Sequence, residues 1–204
     1  RDEKQADIRV HRDVAEALEH AVAVVVRPDE FVGAGDAHEA GWAAFLRTKP
    51  SLPARYAAAG DHAMKVNYAA VVGPSGNFKR NVMLMSRNWI THCWSWVHCF
   101  NAIAHSYKDP GLAWDQLNVH FDLQDANGCI PDGVNAEDAG WNFCKPPIHG
   151  WPLAKMAKTR GLLSEVRMKE FYPKLAKWTD WWFTARDNDG DGLPEYHHGN
   201  DSGW

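Results

Sequence analysis

Residues 88–107, NWITHCWSWVHCFNAIAHSY, decide the fold class. Trp89, Cys93, Trp96, Phe100, Ile103 and Tyr107 recur at alternating four- and three-residue spacing, which is one face of a helix. Ile90, Trp94 and Val97 make much of another apolar side. A helix that is apolar nearly all round is buried among other elements, so the pattern predicts a central helix in a helical assembly.

The flanking sequence extends this reading. A helix is expected from Pro110 to Gln124, then an irregular stretch holding Gly128, Pro131, Gly133 and Gly140. Pro173 suits a helix start, and Phe171, Leu175, Trp178 and Trp182 follow at four-three-four spacing up to Arg186. Upstream, Val10, Val14, Leu18, Ala21 and Val25 share one helical face that ends at Arg27, before Pro28. Asp36 with Glu39 forms a capping-box pattern ahead of Trp42, Phe45 and Leu46, and Pro50 closes that element. The Ala-rich residues 53–72 read as one or two further helices, stopped by Gly73-Pro74; residues 78–85 leave an extended segment open. About seven helices and no convincing strand make the class all-α, with one domain over residues 1–204 and no linker within it.

Composition narrows the function. The chain has 204 residues, 22 basic and 26 acidic, with a formal charge of −4. No basic excess exists to hold a phosphate backbone, so nucleic acid is not the expected partner. With 45% hydrophobic and 24% charged residues it is a globular chain that buries a core. The longest strongly apolar stretch, about 21–26, is too short to cross a bilayer, and Arg1-Asp2-Glu3-Lys4 lacks a secretory apolar core. A soluble, cytoplasmic protein without a membrane partner is expected. Cys93, Cys99, Cys129 and Cys144 show neither zinc spacing nor the density of a disulfide scaffold, so free thiols are expected.

Ten of the eleven Trp lie at or after Trp89. There the loops combine Trp with Gly, Pro, Asn and Asp: residues 94–101, 130–133, 145–151 and 198–204. If the helices stack as antiparallel pairs, loops at one end converge into a pocket floored by indoles and rimmed by carboxylates and amides. Apolar sugar faces stack on aromatic rings while sugar hydroxyls need oriented donors and acceptors, so such a pocket suits a carbohydrate. Each residue also has a structural reading. Trp94, Trp96, Phe100 and Trp151 serve helix packing equally well; Asn101 caps or bridges helices; Asp132 bonds its own turn; Lys145 is solvated. His149, His197 and His198 are satisfied by local hydrogen bonds, and Asn200 and Asp201 hold the last turn. Trp178, Trp181 and Trp182 are mid-helix core residues.

These segments resemble glycoside hydrolase family 63, α-glucosidase-like enzymes on an (α/α)6 barrel, and more distantly the trehalases. The resemblance covers about 77–204 and is best over 94–101, 145–151 and 187–204. It implies inverting, exo-acting hydrolysis of an α-glycosidic bond, with an acid and a base carboxylate about 6.5–9.5 Å apart. An α-glucoside or a glycosyl-glycerate is the implied substrate, and no cofactor is required. Family position favours sugar lining for Trp96 and Trp151 and function for Asn200 and Asp201. Asp187, Asp189 and Asp191 fit the first half of a calcium loop, with Gly192 at the sixth position; His198 stands at the twelfth in place of Glu. Some relatives hold a structural calcium there.

The sequence departs from the family twice. Val97 stands where the family has an aspartate that grips sugar hydroxyls, and an isopropyl group accepts no hydrogen bond. The family's general acid directly follows Ser-Gly-Trp, here residues 202–204, and its base lies in the later half of the barrel. The expectation is therefore a partial (α/α)6 toroid, the N-terminal part of the barrel and inactive alone. It would carry the sugar-binding residues Trp94, Trp96, Val97, Phe100, Asn101, Asp132, Lys145, His149, Trp151, His198, Asn200, Asp201 and Trp204 but neither catalytic carboxylate. Its partner would be the remaining half of the barrel. Two rivals stand beside it: a non-catalytic glycan-binding helical domain, favoured by Val97, and an (α/α)6 sugar epimerase or lyase using histidines as base.

Overall fold

The structure, a computed structural model, describes residues 28–86, 89–158 and 162–202, with side chains from residue 35 onward. The helix expected over residues 10–27 and the candidate Trp204 lie outside the described residues. The chain divides into two compact units, Arg1–Ala44 and Phe45–Trp204. Seven α-helices are seen among the described residues: α1 (Pro28–Leu46), α2 (Ala57–Ala70), α3 (Ser95–Ser106), α4 (Pro110–Asn118), α5 (Gly150–Met156), α6 (Glu165–Ala185) and α7 (Gly199–Ser202). The all-α class holds. None of the described helices is long and apolar enough to cross a membrane.

Several expected boundaries are corrected. Asp36 lies inside α1 and Pro28 opens that helix, so the capping box at Asp36 is not a helix start. The helix expected from residue 88 begins at Ser95. Cys93–Trp94 is instead β3, paired antiparallel with β4 (Gly133–Val134), which pairs in turn with β5 (Ala139–Gly140). Residues Val71–Val72 (β1) and Val82–Met83 (β2) form a second small sheet. Strands do therefore exist, each of two residues, and their ladder bonds outweigh a helical period that would have continued through Cys93. Upstream of that sheet Trp89 is 89% exposed, not buried. The helix from Pro110 stops at Asn118 and tightens into a 3-10 turn, Val119–Leu123. Pro173 sits inside α6, at an exposed position where water can take the carbonyl that loses its partner. The true start of α6 is Ser164, whose Oγ accepts from the Arg167 N–H at 3.2 Å.

Two apolar clusters hold the second unit together. The larger joins Trp114, Leu117 and Phe121 to Leu153 and Met156 of α5 and to Phe171, Trp178 and Trp182 of α6, with Cys129 and Cys144 at its edge. The smaller gathers Phe78, Val82, Leu84, Cys93, Val119 and Val134 around the two sheets. Polar links fix the seam between α4 and β2. The buried Gln116 amide donates to Asn81 O and Leu112 O and accepts from the Met83 N–H. Arg80 bridges Asp122 and Asp115.

Candidate functional site

Four segments distant in sequence meet through one chain of hydrogen bonds. The Ser95 N–H, an orphan donor at the start of α3, is taken by the Asp132 carbonyl at 3.1 Å. The Asp132 carboxylate lies 3.4 Å from Lys145 Nζ, both side chains being buried. Lys145 Nζ also donates to the Asn200 carbonyl. Next door, the Cys144 N–H donates to Asp201 Oδ1 at 2.8 Å, and Asp201 Oδ2 accepts from Arg186 and from the His197 and His198 N–H groups, each at 3.0 Å. The small sheet sets this up. Pairing of Trp94 with Gly133 and of Gly133 with Gly140 places the turn holding Asp132 beside the start of α3. At Gly133 a Cβ would stand 3.1 Å from the Trp94 indole nitrogen, so glycine lets the ring approach the backbone.

The electrostatics distinguish the two carboxylates. Burial pushes the Asp201 carboxyl up, but the Cys144 and His197 N–H groups, Arg186 and the His198 N–H together hold it below the usual range. For Asp132 burial wins: its carboxyl is raised although Lys145 opposes, and the Asp201 charge adds to the rise. Asp132 Oδ1 is buried without a hydrogen-bond partner. Asp201 is thus a saturated anchor, whereas Asp132 keeps one unused acceptor.

The remaining candidates divide into exposed and buried sets. Phe100 of α3 and Trp151 of α5 form an edge-to-face pair with centroids 5.3 Å apart, at 51% and 44% exposure. Trp96, one helical turn before Phe100, is half-buried, as are Trp94, Val97 and Asn101. The Trp94 ring lies 5.5 Å from that of His92. His198 and Asn200 are exposed; the His198 ring lies 4.8 Å from that of Phe143, tilted by 39°, and its Nδ1 accepts from the Asn200 N–H. His149 points inward. It is 1% exposed, its ring meets Phe121 at 4.9 Å, and burial depresses its imidazole to about 3. A cavity of about 200 Å³ lined by Phe45, Leu52, Met64, His105, Tyr107 and Asp109, among others, includes none of the candidate residues.

Arg186 was not singled out from the sequence. It ends α6, covers Trp181 and Trp182 at 5.4 and 5.6 Å, and turns its guanidinium onto Asp201. Its only local signal is a cation placed just after two indoles. His98 and His120, buried with rings 5.5 Å apart, were also missed as a pair.

Asp187, Asp189 and Asp191 each offer a carboxylate oxygen within 4.8 Å of the others. Asp187 Oδ2 accepts from the Gly192 N–H, Asp189 Oδ1 from the Asp191 N–H and Asp191 Oδ1 from the Leu193 N–H. Asp187 Oδ1 is buried and unpartnered. Hard oxygen donors grouped in this way fit calcium.

The family model for the mannosylglycerate hydrolase MGH1-like glycoside hydrolase domain matches residues 91–204, the stretch that contains every segment of the hydrogen-bonded chain above. The mannosylglycerate hydrolases MGH2 and MGH1 of Selaginella moellendorffii are each 26% identical over 120 residues, covering 49% of this chain. The match spans a quarter of the length of these curated relatives. The chain belongs to the mannosylglycerate hydrolase MGH1-like glycoside hydrolase domain family.

Proposed function

We propose that the second unit holds the sugar of an α-linked glycoside, with a glycosyl-glycerate as the leading substrate class, for inverting hydrolysis at the non-reducing end on a family-63-like (α/α)6 barrel. The observation that carries this reading is the convergence of Asp132, Lys145 and Asn200 in one hydrogen-bonded chain. The exposed Phe100–Trp151 pair, on helices that flank two of those segments, supplies rings for the apolar face of a pyranose. Two carboxylates, Asp132 and Asp201, face two cations, Lys145 and Arg186, so the charges cancel. A balanced polar cluster suits an uncharged ring with hydroxyls. The carboxylate of a glycerate would be read by groups outside these two pairs. The unused Asp132 Oδ1 is the natural acceptor for a sugar hydroxyl once the pocket opens to ligand. Asp201, held ionised by its donors, is an anchor and not a proton donor.

The test is to incubate the complete protein with α-mannosyl-glycerate and α-glucosyl-glycerate and follow the released sugar by NMR. Inversion delivers the β-anomer first; an α-anomer as first product would overturn the mechanism. Trp151→Ala should weaken substrate binding about tenfold, the worth of one stacked aromatic. An unchanged KM would remove Trp151 from the pocket.

Val97 favours a second reading, a domain that binds a glycoside without cleaving it. Binding seen by calorimetry without turnover, strengthened by Val97→Asp, would select that reading. The epimerase or lyase reading finds little support at His149, which is buried and too weak a base at neutral pH. For Asp187, Asp189 and Asp191 the proposal is a structural calcium. Chelator should then lower the midpoint of a thermal melt and calcium should restore it; an unmoved midpoint would remove the ion.

A further inference from the structure

Two of the four thiols face each other beside the sugar-binding chain. Cys129 Sγ and Cys144 Sγ are 3.9 Å apart, both buried, in loops separated by fifteen positions. Cys129 is clamped. Its N–H donates to Asp125 Oδ1 and its carbonyl accepts from the Asp125 N–H, both at 2.9 Å. The preceding Gly128 is wedged against α6, where an added Cβ would meet Lys177 O at 2.5 Å. Cys144 is held by one backbone bond to Asp201 and is directly followed by Lys145.

Their chemical settings differ. The Cys129 hydrogen bond brings the Cys144 thiol below its ordinary value, with Arg186 adding to the effect and burial opposing it; Cys129 itself is raised, by that same bond and by burial. The other two thiols are inert by comparison. Cys93 is pushed up to about 12 by burial, and Cys99 is raised by the same cause.

We propose that Cys144 is a peroxide-oxidation site and Cys129 its resolving thiol, and that the disulfide between them weakens sugar binding by displacing Lys145 from Asp132. In the first step Cys144 thiolate attacks one oxygen of hydrogen peroxide. The O–O bond breaks, an S–O bond forms, and the departing hydroxide takes a proton to leave as water. In the second step the Cys129 sulfur attacks the Cys144 sulfenic sulfur, the S–O bond breaks, and a second water leaves with the Cys129 proton. Two thiols and one peroxide become one disulfide and two waters. Peroxide is the oxidant class that fits, because a thiol 3% exposed admits a molecule of that size and not a glutathione disulfide. A disulfide needs sulfurs about 2.0 Å apart, so the gap must close by roughly 2 Å. Cys129 being clamped, Cys144 makes the move and carries Lys145 with it.

The effect on binding rests on the sugar-pocket reading above, whereas formation of the bond does not. The reduced chain is treated with hydrogen peroxide, free thiols are counted after unfolding, and peptides are mapped by mass. The count should fall from four to two, with a link joining residues 129 and 144. Affinity for α-mannosyl-glycerate, measured by calorimetry, should drop about tenfold, the worth of one charge-assisted hydrogen bond, and recover with dithiothreitol. In Cys129→Ser the link cannot form, and dimedone should label Cys144. Oxidation falling on Cys93 or Cys99, or dimedone failing to label Cys144, overturns the site. A mapped 129–144 link with unchanged affinity overturns its control of binding. A reduced chain that binds no glycoside overturns both the pocket reading and that control, while the mapped link still decides the site.

Discussion

Asp201 organises the end of the described chain from a position with no solvent exposure. Its two oxygens serve three backbone N–H groups and one guanidinium. Replacing it with alanine leaves the Arg186 charge buried and unpaired, and breaking a buried pair in that way costs about 3–5 kcal/mol. Asp201→Ala should lower stability by that much in urea denaturation, and Asp201→Asn by less, since one amide oxygen still accepts. A loss under about 1 kcal/mol for the alanine variant would mean that water already satisfies these donors. The identities of Asp132 and Lys145 were legible in the sequence because they sit in irregular, Gly- and Pro-rich turns, and those of Asn200 and Asp201, which lie in the short helix α7, through the family resemblance. Their division of labour was not. Asp201 meets its partner at Cys144 across 57 positions, and no local pattern distinguishes a saturated anchor from an acceptor that awaits ligand.

At the scale of elements, the periodic signal held where side chains pack against one core and failed where backbone pairing competes. Trp178 and Trp182 are buried on α6 as the spacing implied. Cys93 and Trp94 carry the same helical period, yet Val134 and Gly133 offer them ladder partners from forty residues away, and α3 begins only where Asp132 supplies its first acceptor. Pro173 misled for a related reason, because proline at an exposed position in a long helix removes one bond and α6 keeps its packing. Gly128 offers a sharper test of how tightly loop and helix are joined. Its φ of +104° lies in the region that only glycine adopts freely, and its Cα faces the Lys177 backbone. Gly128→Ala should cost about 2 kcal/mol or more in a denaturation curve, from strain and clash together. Gly150→Ala, at a position with nothing within 4 Å, should stay within about 0.5 kcal/mol and serves as the control. Equal stability of the two variants would show that residues 125–129 do not press on α6.

For the molecule as a whole, the helical class could be read from sequence because aromatic and aliphatic periods repeat over long windows, whereas the charge state of the interior could not. His149 looked like a candidate for titration near neutrality, and no local pattern marked His98 or His120. All three are buried around the small sheet and α4, and burial lowers His98 to about 4, His149 to about 3 and His120 well below its ordinary value. Their unfolded values stay near the ordinary figure of about 6.5. Between the folded and unfolded values the unfolded chain binds more protons, so stability must fall as pH falls. The contribution is fully present above about pH 6.5 and is lost progressively toward pH 4. The depressed Asp201 matters only below the usual carboxylate range, whereas the raised Asp132 and Asp115 gain stability as pH falls just above that range and offset part of the histidine slope. Each histidine should steepen the pH dependence by about 1.4 kcal/mol per pH unit, so three together would cost about 6 kcal/mol by pH 5, a large share of an ordinary folding stability. Urea midpoints at several pH values between 7.5 and 4.5 give the slope, and His149→Leu, which fills the same space and cannot take a proton, should reduce it by one histidine's share. A slope unchanged in that variant would mean that His149 is protonated within the folded protein, and that water reaches the floor beneath the Phe121 ring.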